Sequence, residues 1–178
     1  MSKRTANVLE EKSGIISFFV ALLVGATWFV LSTTASLPEY VASNFRGDGL
    51  ANAFMHRDTY RWFMLAFAVG LPVVLVVLIA YLPRRFPGAT NIPNRDFWFA
   101  PERREETLAY LTQCALQLGC LLTVFACGVH WLVIQANALK PPRLANGPFL
   151  TMLVVFLAIL GIGIVALLRR FRKPLTSR

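Results

Sequence analysis

The feature that most constrains this chain is missing charge. Residues 13–38, 62–83, 107–139 and 144–168 contain no Asp, Glu, Lys or Arg, leaving uninterrupted runs of 26, 22, 33 and 25 positions. A helix that crosses the hydrocarbon of a bilayer needs about 20 apolar residues, and it pairs all of its backbone polar groups within itself. Four crossings are therefore expected, at about 14–34, 62–82, 108–137 and 148–168. The expected fold is an all-α, four-transmembrane-helix bundle forming a single integral membrane domain over residues 1–178. A mean hydropathy of +0.57 is too apolar for an ordinary soluble domain.

The ends of these runs set the orientation. With four crossings, both termini and the 84–107 loop share one face. That face carries 13 Lys and Arg residues against 5 on the other. The positive-inside bias predicts that both termini and the loop are cytoplasmic. The net charge of +9 then reports orientation and contact with membrane lipid, and nucleic acid is not expected as a partner. The first run ends in the small residues Thr33-Thr34-Ala35-Ser36, as a cleaved signal peptide does. It is longer than the about 7–15 residues of a signal h-region, so an uncleaved span is expected.

The segment between the second and third runs, NIPNRDFWFAPERREET, holds Arg95, Asp96, Glu102, Arg103, Arg104, Glu105 and Glu106. Its carboxylates are catalytic or metal-binding candidates in principle. Their placement beside Arg103 and Arg104 fits a self-paired helix start better. Pro101 suits a first helical position, so a helix is expected from about Pro101 into the third span. Asn91, Asn94, Arg95, Asp96, Trp98, Glu102, Arg103 and Arg104 are the candidates for docking a partner protein. Asn side chains fix irregular backbone, and Trp sits well at the headgroup level.

The third run is the most polar. Gln113, Gln117, Cys120, Thr123, Cys127 and His130 fall on one side of a helical wheel and are expected to face the bundle, because lipid cannot hydrogen-bond them. His130 is a candidate ligand or titrating group, but a bond to a neighbouring helix needs fewer partners. The three cysteines, Cys114, Cys120 and Cys127, match no metal spacing and suit packing. In the second run Pro72 predicts a kink near Phe67–Ala68. No phosphate-cradling Gly loop, nucleophile elbow or Cys-x-x-Cys occurs, so neither an enzyme nor a cofactor is expected. No charged residue lies within a span, which argues against an ion-coupled carrier.

The first loop, Leu37 to Arg61, reads as turn and surface: Pro38 ends the helix and Gly47-Asp48-Gly49 is a turn composition. Arg46, Asp48, His56, Arg57 and Asp58 form a polar cluster there. Leu37-Pro38, Val41, Phe45, Gly49 and Phe54 resemble a domain of unknown function found in bacterial membrane proteins, which also occurs near the N-terminus of SdpI-type immunity and signalling proteins. Asn44 stands where that family usually has His. The resemblance covers the first two spans and their loop. It implies a multi-pass protein of the bacterial inner membrane, with an immunity or signal-relay role exercised by binding a protein partner or a second copy. A small transporter or channel using the polar stripe, and an accessory subunit of a larger complex, are the alternatives.

Overall fold

The computed structural model describes residues 3–172, and for residues 3–12 and Ala89 it describes the backbone alone. Four of its helices are long and apolar enough to cross a membrane: Ser13–Thr34, Arg57–Arg85, Arg104–Asn137 and Asn146–Arg170. The first belongs to α1 (Lys3–Thr34). The second is compound: α2 (Arg57–Leu65), a π turn (Ala66–Gly70) and α3 (Leu71–Arg85). Pro72 has no N–H to offer the preceding turn. The chain accommodates this by widening that turn, and the Leu71 N–H reaches back to the Ala66 carbonyl. The kink expected near Phe67–Ala68 thus takes the form of a π turn at that position. A one-turn helix α4 (Arg95–Trp98) precedes α5 (Arg104–Asn137), and α6 (Asn146–Arg170) closes the described chain.

Helix α5 is the axis of the bundle, with α1, α3 and α6 packed around it. Its buried face carries Ala115, Gly119 and Ala126, small residues that let neighbouring backbones approach without a hydrophobic drive between helices. Gly119 is a point of close approach: a Cβ there would lie 2.7 Å from Val76 Cγ2 and 2.8 Å from Phe19 Cε2. Helix α6 packs on α5, with Phe125 and Phe156 ring to ring at 4.4 Å, and buries no residue completely.

Two expectations are corrected. The fold is not all-α: the first loop forms an antiparallel hairpin, β1 (Tyr40–Phe45) with β2 (Ala51–His56). Gly49 makes its turn at φ +85, in the left-handed region that glycine tolerates. Helix α5 begins at Arg104 rather than Pro101, because Pro101–Arg103 form a turn whose following N–H groups bond the Ala100 carbonyl.

Candidate functional site

The bundle has two differently built ends. At the hairpin end, β1 sits on the last turn of α5 through one side chain. The Asn137 Oδ1 accepts from the Ala42 N–H at 2.8 Å, and its Nδ2 donates to the Ala42 carbonyl at 3.0 Å and to the Val133 carbonyl at 2.9 Å. The carboxamide thereby imitates a third strand. The tip is held as well: the Leu144 N–H donates to the Gly49 carbonyl at 2.8 Å, and Asn146 Nδ2 donates to the Gly47 carbonyl at 2.8 Å. Leu37 and Val41 pack down on Val30, Tyr60, Met64 and Val133.

Beneath them lies His130, fully buried. Thr33 Oγ1 donates to the Phe29 carbonyl at 2.6 Å, which uses its one proton. The 2.8 Å contact with His130 Nε2 therefore has the imidazole N–H as donor. Nδ1 is left as the acceptor for the Tyr60 hydroxyl at 2.9 Å. One directed chain of hydrogen bonds ties α2, α5 and α1 together, with the Phe29 ring edge-on to the imidazole at 5.3 Å. Both ring nitrogens are engaged, so His130 has no lone pair free for a metal or a substrate. His56 is exposed and caps α2, accepting from the Asp58 N–H at 3.3 Å. Among the described residues no cluster of three or more His, Cys, Asp or Glu is arranged to hold a metal ion.

The polar cluster of the hairpin end is largely paired within itself. Arg46 meets Asp48 at 3.4 Å and Arg61 meets Asp58 at 3.0 Å. Arg57 donates to the Leu37 carbonyl at 3.2 Å. Among the side chains the hairpin exposes are two aromatics, Tyr40 at 62% and Phe54 at 54%.

At the opposite end, Trp98 is buried against Leu111 and Phe171. Its indole N–H donates to the Phe171 carbonyl at 3.0 Å, as does Asn94 Nδ2 at 3.0 Å from a left-handed backbone with φ 52. Thr107 Oγ1 donates to the Trp98 carbonyl at 2.9 Å. Arg170 lies over the Trp98 ring at 4.7 Å and pairs with Glu106. One of the docking candidates is thus committed inside the protein: Trp98 is buried. Asn94 is exposed, yet its side chain fastens the loop to the end of α6. The others, Asn91, Arg95, Asp96, Glu102, Arg103 and Arg104, are exposed as well. Among these, Arg95 pairs with Asp96 at 3.1 Å and Arg103 stacks over Phe97 at 4.2 Å.

The polar stripe of α5 does not face the bundle as a unit. Thr123 and His130 are buried, Cys120 and Cys127 are half-buried, and Gln113 and Gln117 are exposed. The six residues spread over about 140° of the wheel, wider than one packed face. The buried face centres on the small residues, and the two glutamines fall roughly opposite it. Gln113 borders an open cleft of about 570 Å³ at the arginine end, lined by residues of α1, α3, α5 and α6. The six residues therefore do not share one wall.

Comparison with protein families, with curated proteins and with solved structures gives no match.

Proposed function

We propose that this is a non-catalytic, multi-pass protein of the bacterial inner membrane that binds a protein partner at its hairpin end, in an immunity or signal-relay role. The observation that carries the proposal is the rigid presentation of the hairpin. Asn137 and the α5–α6 turn hold its backbone from two sides, while Tyr40 and Phe54 are exposed. Ordering a surface before binding lowers the entropic cost of association, and aromatic side chains are favoured contact residues. The likeness of Leu37–Phe54 to the SdpI-type loop directs the proposal toward immunity or signalling. The exposed rim of the 84–106 segment is the matching candidate for a cytoplasmic partner. His130, spent on the Tyr60–Thr33 chain, supports the non-catalytic part.

A second reading, an accessory subunit of a larger complex, is favoured by α6, which packs on α5 and buries no residue completely.

A photo-crosslinking amino acid at Phe54, and separately at Asp96, tests the proposal in native membranes. The expected result is a discrete adduct from Phe54 that disappears when Tyr40→Ser is added. Adducts from neither position would overturn the proposal. Adducts only from positions along α6 would favour the accessory subunit.

A further inference from the structure

The cleft at the arginine end combines features that the partner-binding proposal does not use. Its mouth is flanked by Arg84 from the end of α3 and Arg170 from the end of α6. Arg170 is already matched by Glu106. Arg84 has no carboxylate among the described residues: its guanidinium donates to the Ala80 carbonyl and, at 3.1 Å, to Thr112 Oγ1. It therefore reaches into the cleft as a cation anchored by neutral groups. The wider setting is cationic too. Residues 84–106 and 169–172 hold eight arginines against four carboxylates.

The wall also carries Gln113; Gln117, outside the lining, follows one helical turn further along α5, about 6 Å on. Both amides are exposed, and among the described residues neither has a hydrogen-bond partner. A primary amide facing hydrocarbon unpaired costs about 1–3 kcal/mol. Ile16 and Leu116 make the surrounding wall apolar. The cleft thus brings together a cation, an amide donor and hydrocarbon. A phospholipid presents the complementary set: phosphate, ester carbonyl, acyl chain.

We propose that this cleft is a binding site for one anionic phospholipid. Its phosphate pairs with Arg84, an ester carbonyl accepts from Gln113, and an acyl chain lies over Ile16 and Leu116. The net positive charge of this end selects an anionic headgroup over a zwitterionic one. The site is independent of any partner at the hairpin, so either proposal can fail without the other.

Native mass spectrometry of the full chain, delipidated in mild detergent and titrated with phosphatidylglycerol or phosphatidylcholine, tests this. The expected result is one preferred phosphatidylglycerol adduct, with phosphatidylcholine bound at least tenfold more weakly. Arg84→Gln should weaken the phosphatidylglycerol adduct about tenfold and Gln113→Leu by a few-fold. Arg85→Gln, the same charge change outside the cleft lining, should leave it unchanged. Millimolar inorganic phosphate should not displace the lipid, which separates a lipid site from a free-phosphate site. Equal retention of the two lipids, equal loss in Arg84→Gln and Arg85→Gln, or displacement by phosphate would overturn the proposal. Thermal melting of each variant without lipid checks the fold. Gln113→Leu, which adds apolar surface to an open wall, keeps the test valid if Arg84→Gln melts early.

Discussion

The two ends of the bundle are ordered by different physics. At the hairpin end, besides surface ion pairs, the fastening groups are neutral, directional and partly or wholly buried: the Asn137 carboxamide on Ala42, and the Tyr60–His130–Thr33 chain beneath it. At the arginine end the buried bonds of Trp98 and Thr107 are ringed by exposed contacts that are ionic or cation–π: Arg170 with Glu106 and Trp98, Arg95 with Asp96, Arg103 with Phe97. Buried neutral bonds are insensitive to salt and costly to break, because a group left unpaired has no water to turn to. Exposed ion pairs are worth little each and are screened by salt. The contrast implies a stiff platform at one end and an adjustable, electrostatically tuned surface at the other.

The most severe way to break the platform is His130→Ala. It opens a cavity in a fully buried site and strands the Tyr60 hydroxyl, while Thr33 Oγ1 keeps only its bond to the Phe29 carbonyl. A loss of about 3–4 kcal/mol is expected, most of it from packing, since hydrogen bonds between membrane helices average below about 1 kcal/mol. Reversible unfolding in mixed detergent measures it. A loss below about 1 kcal/mol would mean that the chain of bonds is incidental.

Next in size is Gly49→Ala, with an expected loss of about 2–3 kcal/mol from left-handed strain and a backbone clash. Its Cβ would lie 2.6 Å from the Leu144 carbonyl oxygen. This substitution separates the tip from its support without touching the core. Amide hydrogen exchange should speed up at Leu144, whose N–H bonds Gly49, and stay slow at Ala42, which Asn137 holds. Equal acceleration at both amides would show the hairpin to be one weak unit rather than two separately pinned ones.

How much of this contrast is legible in the residues depends on range. The four long apolar helices are legible because missing charge over 22 or more positions suits a helix of membrane-spanning length. The hairpin is half legible: Arg46-Gly47-Asp48-Gly49 is a turn signal, yet Ala51-Asn52-Ala53-Phe54-Met55-His56 is poor in β-branched residues and its strand rests on tertiary support. The Ala42–Asn137 clamp is illegible, because it joins positions 95 residues apart through a side chain that elsewhere would be a helix cap. His130 announces itself as a polar group within a span, whereas Tyr60, its partner, looks like any interfacial aromatic. The wheel fails for Gln113 and Gln117 because polarity does not mark the packed face of α5. Ala115, Gly119 and Ala126 mark it better, since close helix approach demands small side chains. Trp98 shows the reverse error: an aromatic in a charged loop suggests a surface, yet its N–H is satisfied by Phe171, beyond two spans.

Trp98→Phe sharpens the comparison at the arginine end. It keeps an aromatic ring against Phe171 but removes the indole N–H that donates to the Phe171 carbonyl. Asn94 Nδ2 still donates to that carbonyl, so no acceptor is left unpaired. The expected loss is about 1 kcal/mol, readable as a small drop in melting temperature. A loss as large as that of His130→Ala would erase the proposed difference between the ends.

The smallest expected effect discriminates best. Arg170→Gln removes the pair with Glu106 and the stacking over Trp98 and Tyr110. The Glu106 carboxylate is 70% exposed, so the ionic part is worth only a few tenths of a kcal/mol and fades as salt is raised. The cation–π part, about 0.5–1 kcal/mol, is shorter in range and persists. In zwitterionic detergent free of anionic lipid, wild type should therefore exceed Arg170→Gln by about 1 kcal/mol at low salt, and the gap should narrow without closing at high salt. Over the same range the cost of His130→Ala should not move, because none of the bonds it breaks joins opposite charges. A salt-independent gap at Arg170 would assign that end to packing. A salt-dependent cost at His130 would mean that the buried chain carries charge, and the division between a neutral platform and an ionic rim would be lost.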